Sequence, residues 1–217
     1  MTPPLVVAID GPAGAGKGTL AKRLAAHYGL AHLDTGLLYR AVGRALLDAG
    51  LPLEDADAAH AAALSLDLGS LSSERLRDRG AGEAASIVSA YPAVRAALLD
   101  QQRCFAARAG GAVLDGRDIG TVVCPDASVK IYVVASAEER ARRRHAELAQ
   151  AGEAASFADI LADILKRDER DMNRASAPLK PADDAVILDT TALDPDAAFA
   201  KACAIVDAVA ADRAPGP

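Results

Sequence analysis

The stretch Gly11-Pro-Ala-Gly-Ala-Gly-Lys-Gly-Thr19 decides the fold. It matches the pattern G-x-x-x-x-G-K and stands between a short apolar run, Leu5–Ile9, and a segment with helical periodicity, Lys17–Tyr28. A buried strand, a glycine-rich turn and a helix, in that order, form a loop whose backbone N–H groups and helix N-terminus bind phosphates. The stretch therefore predicts a phosphate-binding loop, or P-loop, for a nucleoside triphosphate.

The residues of this loop have distinct predicted roles. Lys17 would span the β- and γ-phosphates, and Thr19 would serve the phosphates or Mg²⁺, directly or through water. Gly18 stands directly after the lysine, where many such loops have Ser or Thr. The form Gly-Lys-Gly-Thr resembles nucleoside monophosphate kinases rather than switch GTPases, and the guanine-reading string Asn-Lys-x-Asp does not occur. The predicted ATP-binding residues of the loop are Gly11, Pro12, Ala13, Gly14, Ala15, Gly16, Lys17, Gly18 and Thr19.

Strand and helix patterns alternate along the rest of the chain. The predicted strands are Leu5–Ile9, Leu30–Leu33, Ala112–Leu114, Val129–Ala135 and Ala185–Leu188. The predicted helices are Lys17–Tyr28, Thr35–Leu47, one that begins at Pro92, one capped by Ser136, one from Ser156 to about Arg174, and a closing helix from Pro195. This alternation favours an α/β domain of the P-loop NTPase fold, with a five-stranded parallel sheet and helices on both faces. We expect one kinase domain over residues 1–217.

Acidic side chains follow the predicted strands. Asp10, Asp34, Asp115 and Asp189 each stand at the carboxyl end of a strand. In an open parallel sheet these ends meet at one edge, and ligands bind in the crevice beyond it. The sequence therefore predicts a polar site at that edge, next to the P-loop.

Composition argues against several other classes of protein. The formal net charge of −6 disfavours a binder of nucleic-acid polymers, because such binders need a basic surface. The three cysteines are far apart without metal-binding spacing, which is typical of free thiols in a reducing compartment. No apolar run reaches the ~20 residues of a membrane span, and no signal-peptide pattern is visible. We expect a cytoplasmic monomer.

Arginines near the predicted strand ends indicate a second anion site. In the stretch Asp34–Arg40, Thr35 would cap a helix and leave Arg40 one turn inside it. In the turn Asp115–Asp118, Gly116 would present Arg117 and Asp118 side by side. Each arginine could clamp the phosphate of an acceptor. Alternatively, Arg40 is a solvated side chain and Arg117 belongs to a local ion pair, and the residues alone leave both interpretations open.

Two further groups of arginines lie on predicted helices. Arg167, Asp171 and Arg174 are spaced i, i+4 and i+7, which puts them on one helix face. They could grip phosphate oxygens and a sugar hydroxyl, or form an ordinary surface ion-pair ladder, which is the interpretation that the spacing alone favours. The run from Glu138 to Arg144 is strongly cationic. It could be a lid over the phosphates or a solvated helix face.

Read together, these motifs resemble the bacterial cytidylate kinase family over nearly the whole chain. The matching strings are Ile9-Asp-Gly-Pro-Ala-Gly-Ala-Gly-Lys-Gly-Thr19, Asp34-Thr-Gly-x-x-Tyr-Arg40, Asp115-Gly-Arg-Asp-Ile-Gly-Thr-Val-Val123 and Arg167-Asp-x-x-Asp-x-Asn-Arg174. The resemblance implies transfer of the ATP γ-phosphoryl group to CMP or dCMP with Mg²⁺ as cofactor. It also implies a nucleotide-monophosphate region at about 35–100 and a helical lid at about 138–156.

The resemblance assigns site residues as well. It implies catalytic roles for Lys17, Arg117 and Arg174, and ATP contacts from the lid by Arg142 and Arg144. Cytosine would be read by Ser86, Arg95 and Asp118. The full set implied to bind CMP is Thr35, Arg40, Ser86, Arg95, Arg117, Asp118, Arg167, Asp171 and Arg174.

One segment departs from the family. Members often have a three-stranded insert before the segment that holds Ser86, but Leu66–Ala85 is short and poor in β-branched residues. We therefore expect a shortened, mostly helical or looped insert.

Two other functions stay open. One is another small-acceptor kinase, such as a shikimate-type or other nucleotide kinase, with Asp34 as the base that a hydroxyl acceptor needs. The other is a non-catalytic ATP-binding regulator.

Overall fold

The computed structural model describes residues 4–66, 76, 79–150 and 152–212. The five strands and the six predicted helices occur in the order that the sequence predicts, and two further helices, which the sequence analysis does not predict, lie between the second and the third strand. The strands are β1 (Val6–Asp10), β2 (Ala31–Asp34), β3 (Ala112–Gly116), β4 (Val129–Val134) and β5 (Val186–Asp189). The helices are α1 (Lys17–Tyr28), α2 (Thr35–Asp48), α3 (Ala56–Leu64), α4 (Arg79–Val88), α5 (Pro92–Ala106), α6 (Ala137–Gln150), α7 (Phe157–Asn173) and α8 (Pro195–Asp212). A π-helical turn, Ile119–Val123, follows β3.

The strands form a parallel sheet in the order β2-β3-β1-β4-β5, which confirms the predicted fold class. Alternate residues of β1 bury on opposite faces. Val7 and Ile9 pack in a cluster with α1 and α8, whereas Ala8 packs in a cluster with the π-helical turn and α5. Helices therefore cover both faces. The central strands β1 and β3 are almost fully buried, as central parallel strands require, whereas the edge strand β2 is half-buried and the edge strand β5 is largely exposed.

The strand ends bring the acidic side chains together. Asp34 pairs in register with Asp115, and Asp10 pairs with Gly116 of the same strand. The predicted β1, β2, β3 and β5 end one or two residues too early, because the aspartate that follows each predicted strand itself belongs to the ladder. The predicted polar edge of the sheet is thus confirmed, and it lies directly beyond the P-loop strand.

The helix after β2 begins differently from the prediction. Asp34 occupies the N-cap position, and Thr35 is the first helical residue. The Thr35 hydroxyl donates to the Asp115 carbonyl oxygen at 2.9 Å, so it joins α2 to β3 instead of capping α2. The predicted cap at Thr35 is therefore wrong, because a partner on a neighbouring strand takes the hydroxyl.

The described part of the region between α2 and β3 consists of helices joined by turns and irregular segments. It contains α3, α4 and α5, and no strand occurs in its described residues. Residues 67–75 and 77–78 of the predicted insert lie outside the described residues. α4 packs very closely on α2: a Cβ placed on Gly43 would lie 2.6 Å from the Ala84 Cβ. This contact fixes the position of α4, which carries Ser86.

Among the described helices, none has the length and apolarity needed to cross a bilayer.

Candidate active site

The loop between β1 and α1 has the geometry of a phosphate cradle. Gly11 has φ 143°, and a Cβ placed on it would lie 2.0 Å from the Val133 carbonyl oxygen, so no other residue fits there. Gly16 is left-handed at the N-terminus of α1, which leaves the first backbone N–H groups of that helix directed at the loop. The Lys17 ammonium donates to the Pro12 carbonyl oxygen at 2.7 Å.

Lys17 lies where two cavities meet. Burial, reinforced by the nearby Arg117 guanidinium, lowers the pKa of Lys17 well below its usual range. A bound phosphate would counter both effects because its negative charge favours the ammonium form. The residues that line both cavities are Ala13, Gly14, Lys17, Gly18, Asp34, Arg40 and Arg167.

The larger cavity, of about 1140 Å³, extends from the P-loop to α6, α7 and the start of α8. Thr19 and Arg144, which are predicted to contact ATP, line it together with Arg143. The Arg143 guanidinium donates to the Thr190 carbonyl oxygen at 2.6 Å, and the Thr190 hydroxyl donates to the Ala15 carbonyl oxygen at 3.2 Å. Arg143 is therefore anchored beside the loop.

Arg142 is placed differently. Its side chain is 63% exposed and pairs with Glu139, and it lies outside the residues that line the cavity. The sequence assigns an ATP contact to Arg142 and only a lid position to Arg143. In the structure it is Arg143 that contacts the neighbourhood of the P-loop. The rotation of α6 about its own axis determines which of the two arginines faces the cavity. A run of consecutive arginines does not reveal that rotation.

The smaller cavity, of about 180 Å³, lies between α2, α4, α7 and the turn after β3. Every residue that the family resemblance assigns to CMP lines it, although these residues come from five separate segments. Within the described residues its lining holds six cationic side chains and four carboxylates. The excess of positive charge indicates an anionic ligand. The binding roles of the individual residues stay predictions.

Two aspartates organise the arginines of this cavity. Asp118 accepts a hydrogen bond from Arg95, and its other oxygen lies 3.7 Å from Arg174 Nη2. Asp171 accepts from Arg117 Nε at 3.0 Å and lies 4.0 Å from Arg167 Nε. Although burial alone would raise it, Arg117 and Arg167 hold the pKa of Asp171 below its usual range.

Some donors in the cavity are left over by this pairing. Arg167 Nε and Arg174 Nη2 are buried, and neither has a hydrogen-bond partner among the described residues. Burial and the neighbouring Arg117 lower the pKa of Arg167 to about 10. Buried cationic donors without acceptors are costly unless a ligand satisfies them. This feature distinguishes the face of α7 from the surface ion-pair ladder that its spacing alone favoured.

Sequence reasoning assigned no individual role to three further residues at the site. Asp10 accepts from the backbone N–H groups of Ile119 and Gly120 at 2.8 and 2.7 Å, which fixes the turn directly after Asp118. Burial raises the pKa of Asp10 to about 6. Its place at the end of β1 marked it as polar and site-facing, but nothing in the sequence reveals its partners.

The other two residues, Arg140 and Asp168, form a buried ion pair beneath the P-loop. Arg140 donates to both carboxylate oxygens of Asp168, at 3.0 and 2.6 Å, and also to the carbonyl oxygens of Ala13 and Ala135. Arg140 is 4% exposed, although it stands in the arginine run that the sequence treated as lid or solvated face. The pair links α6 and α7 to the phosphate-binding loop.

Comparison with known proteins identifies the family. A family model described as cytidylate kinase matches residues 7–207. The chain belongs to the cytidylate kinase family. It is 67% identical to the cytidylate kinase of Methylobacterium sp. (strain 4-46), over 94% of this chain and 97% of that protein. It is 63% identical to the Methylocella silvestris cytidylate kinase, over 94% of both chains. The predicted family resemblance is confirmed.

Solved structures share the fold of this cytidylate kinase family member at much lower identity. A gluconokinase from Sinorhizobium meliloti 1021 superposes with a TM-score of 0.53 at 13% identity, covering 96% of this chain and 95% of that one. A sugar kinase from Janibacter sp. HTCC2649 gives 0.50 at 17% identity, covering 99% and 100%. At such identities the likeness supports the fold and nothing about the substrate.

Proposed function

We propose that this protein transfers the γ-phosphoryl group of ATP to CMP or dCMP, giving ADP and CDP or dCDP. The observation that carries the proposal is the cation-rich cavity that meets the P-loop cavity at Lys17 and holds Asp118 beside Arg95. Membership of the cytidylate kinase family supports the same substrates. The enzyme would act in pyrimidine nucleotide metabolism, as a cytoplasmic monomer of one domain.

ATP would occupy the larger cavity with its phosphates in the P-loop. The N-terminus of α1 and the Lys17 ammonium would bind the β- and γ-phosphates. Arg143 and Arg144 line the wall on α6, within the lid assigned to about 138–156. The brace from Arg140 to the Ala13 carbonyl oxygen keeps the loop in register with that helix.

Mg²⁺ would bind with ATP near the junction of the two cavities. Thr19 offers a hydroxyl, and the neighbouring carboxylates Asp34 and Asp115 offer the hard oxygen ligands that Mg²⁺ prefers. Burial and the proximity of Asp115 raise the pKa of Asp34. A divalent cation between the two carboxylates would relieve their electrostatic repulsion. When bound, Mg²⁺ neutralises charge on the phosphates and orients them. No described group of three or more acidic, Cys or His side chains forms a complete protein cage, which fits a metal that arrives with the nucleotide.

The acceptor phosphate would lie among the arginines of the smaller cavity. Arg167 Nε and Arg174 Nη2, which lack hydrogen-bond partners among the described residues, would donate to its oxygens, together with Arg40 and Arg117. Asp171 holds Arg117 and Arg167 in place and would accept from a ribose hydroxyl. Because the acceptor is already an anionic oxygen, no general base is required. Catalysis would be positioning and charge stabilisation by Lys17 and these arginines.

Cytosine would lie beyond the phosphate, against Ser86, Arg95 and Asp118. Its O2 and N3 atoms accept hydrogen bonds, which Ser86 and Arg95 can donate, and its amino group can donate to Asp118. Uracil has an oxygen in place of that amino group and an N3–H in place of the N3 acceptor. The buried Asp118 carboxylate would then face another acceptor, which disfavours UMP.

Two other functions are weaker. A hydroxyl acceptor would need a carboxylate base, and Asp34 does line both cavities. The excess of arginines in the smaller cavity favours a phosphate acceptor instead. A non-catalytic ATP-binding regulator would keep the P-loop but has no use for a second anion site beside Lys17.

Replacing Asp118 tests the proposed base recognition. We expect Asp118→Ala to lower the ratio of kcat/KM for CMP to that for UMP by at least about tenfold, since one buried charged hydrogen bond is lost. KM for ATP should change little. Asp184→Ala is the matched control, because Asp184 is a surface partner of Lys130 and lines neither cavity. An unchanged CMP-to-UMP ratio in Asp118→Ala would refute the base-reading role.

A further inference from the structure

Arg170 bridges two walls of the smaller cavity without lining it. It lies on α7, between the phosphate-facing Arg167 and Asp171, and reaches across to α4. Its Nη1 donates to the Ser86 hydroxyl oxygen at 2.8 Å, and its Nη2 donates to the Glu83 carboxylate at 2.8 Å. Arg170 is absent from the lining of both cavities, whereas Ser86 lines the smaller one. Of its two partners, Ser86 lines the smaller cavity and Glu83 lines the larger one, so we expect an effect of Arg170 on a ligand in the smaller cavity to act through Ser86.

The chemistry of this contact fixes the role of the Ser86 hydroxyl. A serine hydroxyl has one hydrogen to donate and two lone pairs, whereas a guanidinium group can only donate. Arg170 therefore occupies a lone pair of the hydroxyl oxygen and leaves its hydrogen available. Ser86 is 3% exposed, so water has little access to reorient it. The hydroxyl is held as a donor at the cavity wall.

Both ends of the bridge are themselves fixed. The hydrogen bond from Arg170 lowers the pKa of Glu83 below its usual value, so the guanidinium has a carboxylate partner on α4 as well as the hydroxyl. On the other side, α4 is packed against α2 at the close contact between Gly43 and Ala84. The bridge thus sets the distance between α4 and the helix that carries the phosphate-binding arginines.

We propose that Arg170 is a positioning residue for base selection: it holds Ser86 as a hydrogen-bond donor and so favours cytosine over uracil. Cytosine presents acceptors at O2 and N3, which suit a donating hydroxyl. Uracil presents an N3–H instead, which offers no acceptor to the Ser86 hydroxyl hydrogen and must approach an oxygen that already accepts from the Arg170 guanidinium. This inference rests on the proposed CMP kinase function and adds to it a residue that does not touch the substrate.

A double-mutant cycle with Ser86→Ala tests this role. Arg170→Met keeps the aliphatic stem and removes every donor, and we expect it to lower the CMP-to-UMP ratio of kcat/KM by about fivefold to tenfold, as the loss of one polar contact would. Arg170→Lys, which keeps a donor, should retain most of the ratio. In the Ser86→Ala background, Arg170→Met should cause no further loss of discrimination. Arg108→Met, at an exposed arginine away from both cavities, is the control.

Several results would overturn the inference. They are an unchanged CMP-to-UMP ratio in Arg170→Met, or losses in the two single variants that multiply in the double variant. If Arg170→Met does not fold, Glu83→Gln replaces it in the same cycle, because it weakens the anchor of Arg170 and should shift the ratio in the same direction. The wild-type enzyme separates the two proposals. Lack of CMP turnover there refutes the proposed function, whereas CMP turnover with an Arg170-independent ratio refutes this inference alone.

Discussion

Replacing Asp168 alone should destabilise the protein more than replacing Asp168 and Arg140 together by apolar side chains. The two residues form a bidentate pair with N···O distances of 3.0 and 2.6 Å, and both are buried. Asp168→Leu would leave the Arg140 guanidinium charged, buried and without its carboxylate. Breaking a buried pair from one side costs about 3–5 kcal/mol of unfolding free energy.

In Arg140→Met combined with Asp168→Leu, no buried charge is left unpaired. The structure then loses the donors to two carbonyl oxygens, those of Ala13 and Ala135. Each lost hydrogen bond costs about 1 kcal/mol, so the expected destabilisation is about 2 kcal/mol, which added apolar packing reduces. At ~2–4 °C per kcal/mol for a chain of this size, the single variant should melt about 6–20 °C below wild type and the double variant about 4–8 °C below.

Urea unfolding followed by circular dichroism gives the free energies by linear extrapolation. The surface pair Arg44–Asp48 serves as control, and alanine at either position should cost less than about 1 kcal/mol. The double variant should also show a lower kcat at saturating substrates, since the Ala13 carbonyl oxygen of the P-loop has lost its hydrogen bond from Arg140. A double variant that is less stable than Asp168→Leu would refute this account of the pair.

Three further predictions concern single positions. Gly11→Ala should cost at least about 3 kcal/mol in urea unfolding, because its Cβ would meet the backbone Val133 oxygen at 2.0 Å; near-wild-type stability would contradict this geometry. The pKa of Asp10 is raised from 3.8 to about 6 by burial. Between these two pH values the folded state binds a proton at Asp10 that the unfolded state has released. The free energy of unfolding should therefore fall as pH rises from 3.8 to about 6, by up to about 3 kcal/mol. Asp10→Asn should lack this component between pH 4 and 7, and an identical pH dependence would disprove it. Arg174→Ala should raise KM for CMP and lower kcat by about tenfold each, since a buried donor to the acceptor phosphate is lost. Unchanged steady-state kinetics would show that Arg174 has only a structural role, in its ion pair with Asp118.

Local patterns predicted most of the fold because strands and helices here follow their periodicities. The helix Lys17–Tyr28 begins and ends where the sequence predicts, between a glycine-rich loop and Gly29. The cap at Thr35 failed because Asp34 and Thr35 are both good capping residues, and a contact with Asp115 on another strand decided between them. Such contacts between distant segments leave no local pattern.

The residues of the site likewise fall into those that the sequence predicts and those that only the packed structure reveals. The P-loop follows from spacing alone, and the residues lining the smaller cavity follow from the family resemblance. Arg140 and Arg170 could not be found because each stands in a run of charged residues that also fits a solvated helix face. Their partners, Asp168 and Ser86, are 28 and 84 positions away. The phase of a helix against its neighbours distinguishes a buried arginine from an exposed one, and that phase is a property of the packed structure.

The most direct test of the central claim is ADP formation by the wild-type enzyme with ATP and Mg²⁺ against CMP, dCMP, UMP, AMP and shikimate, with the phosphorylated product identified by chromatography. We predict CDP and dCDP as the main products, with kcat/KM for CMP or dCMP well above that for each of the other acceptors. Absence of CMP turnover, or preferred phosphorylation of the hydroxyl of shikimate, would contradict the proposed function.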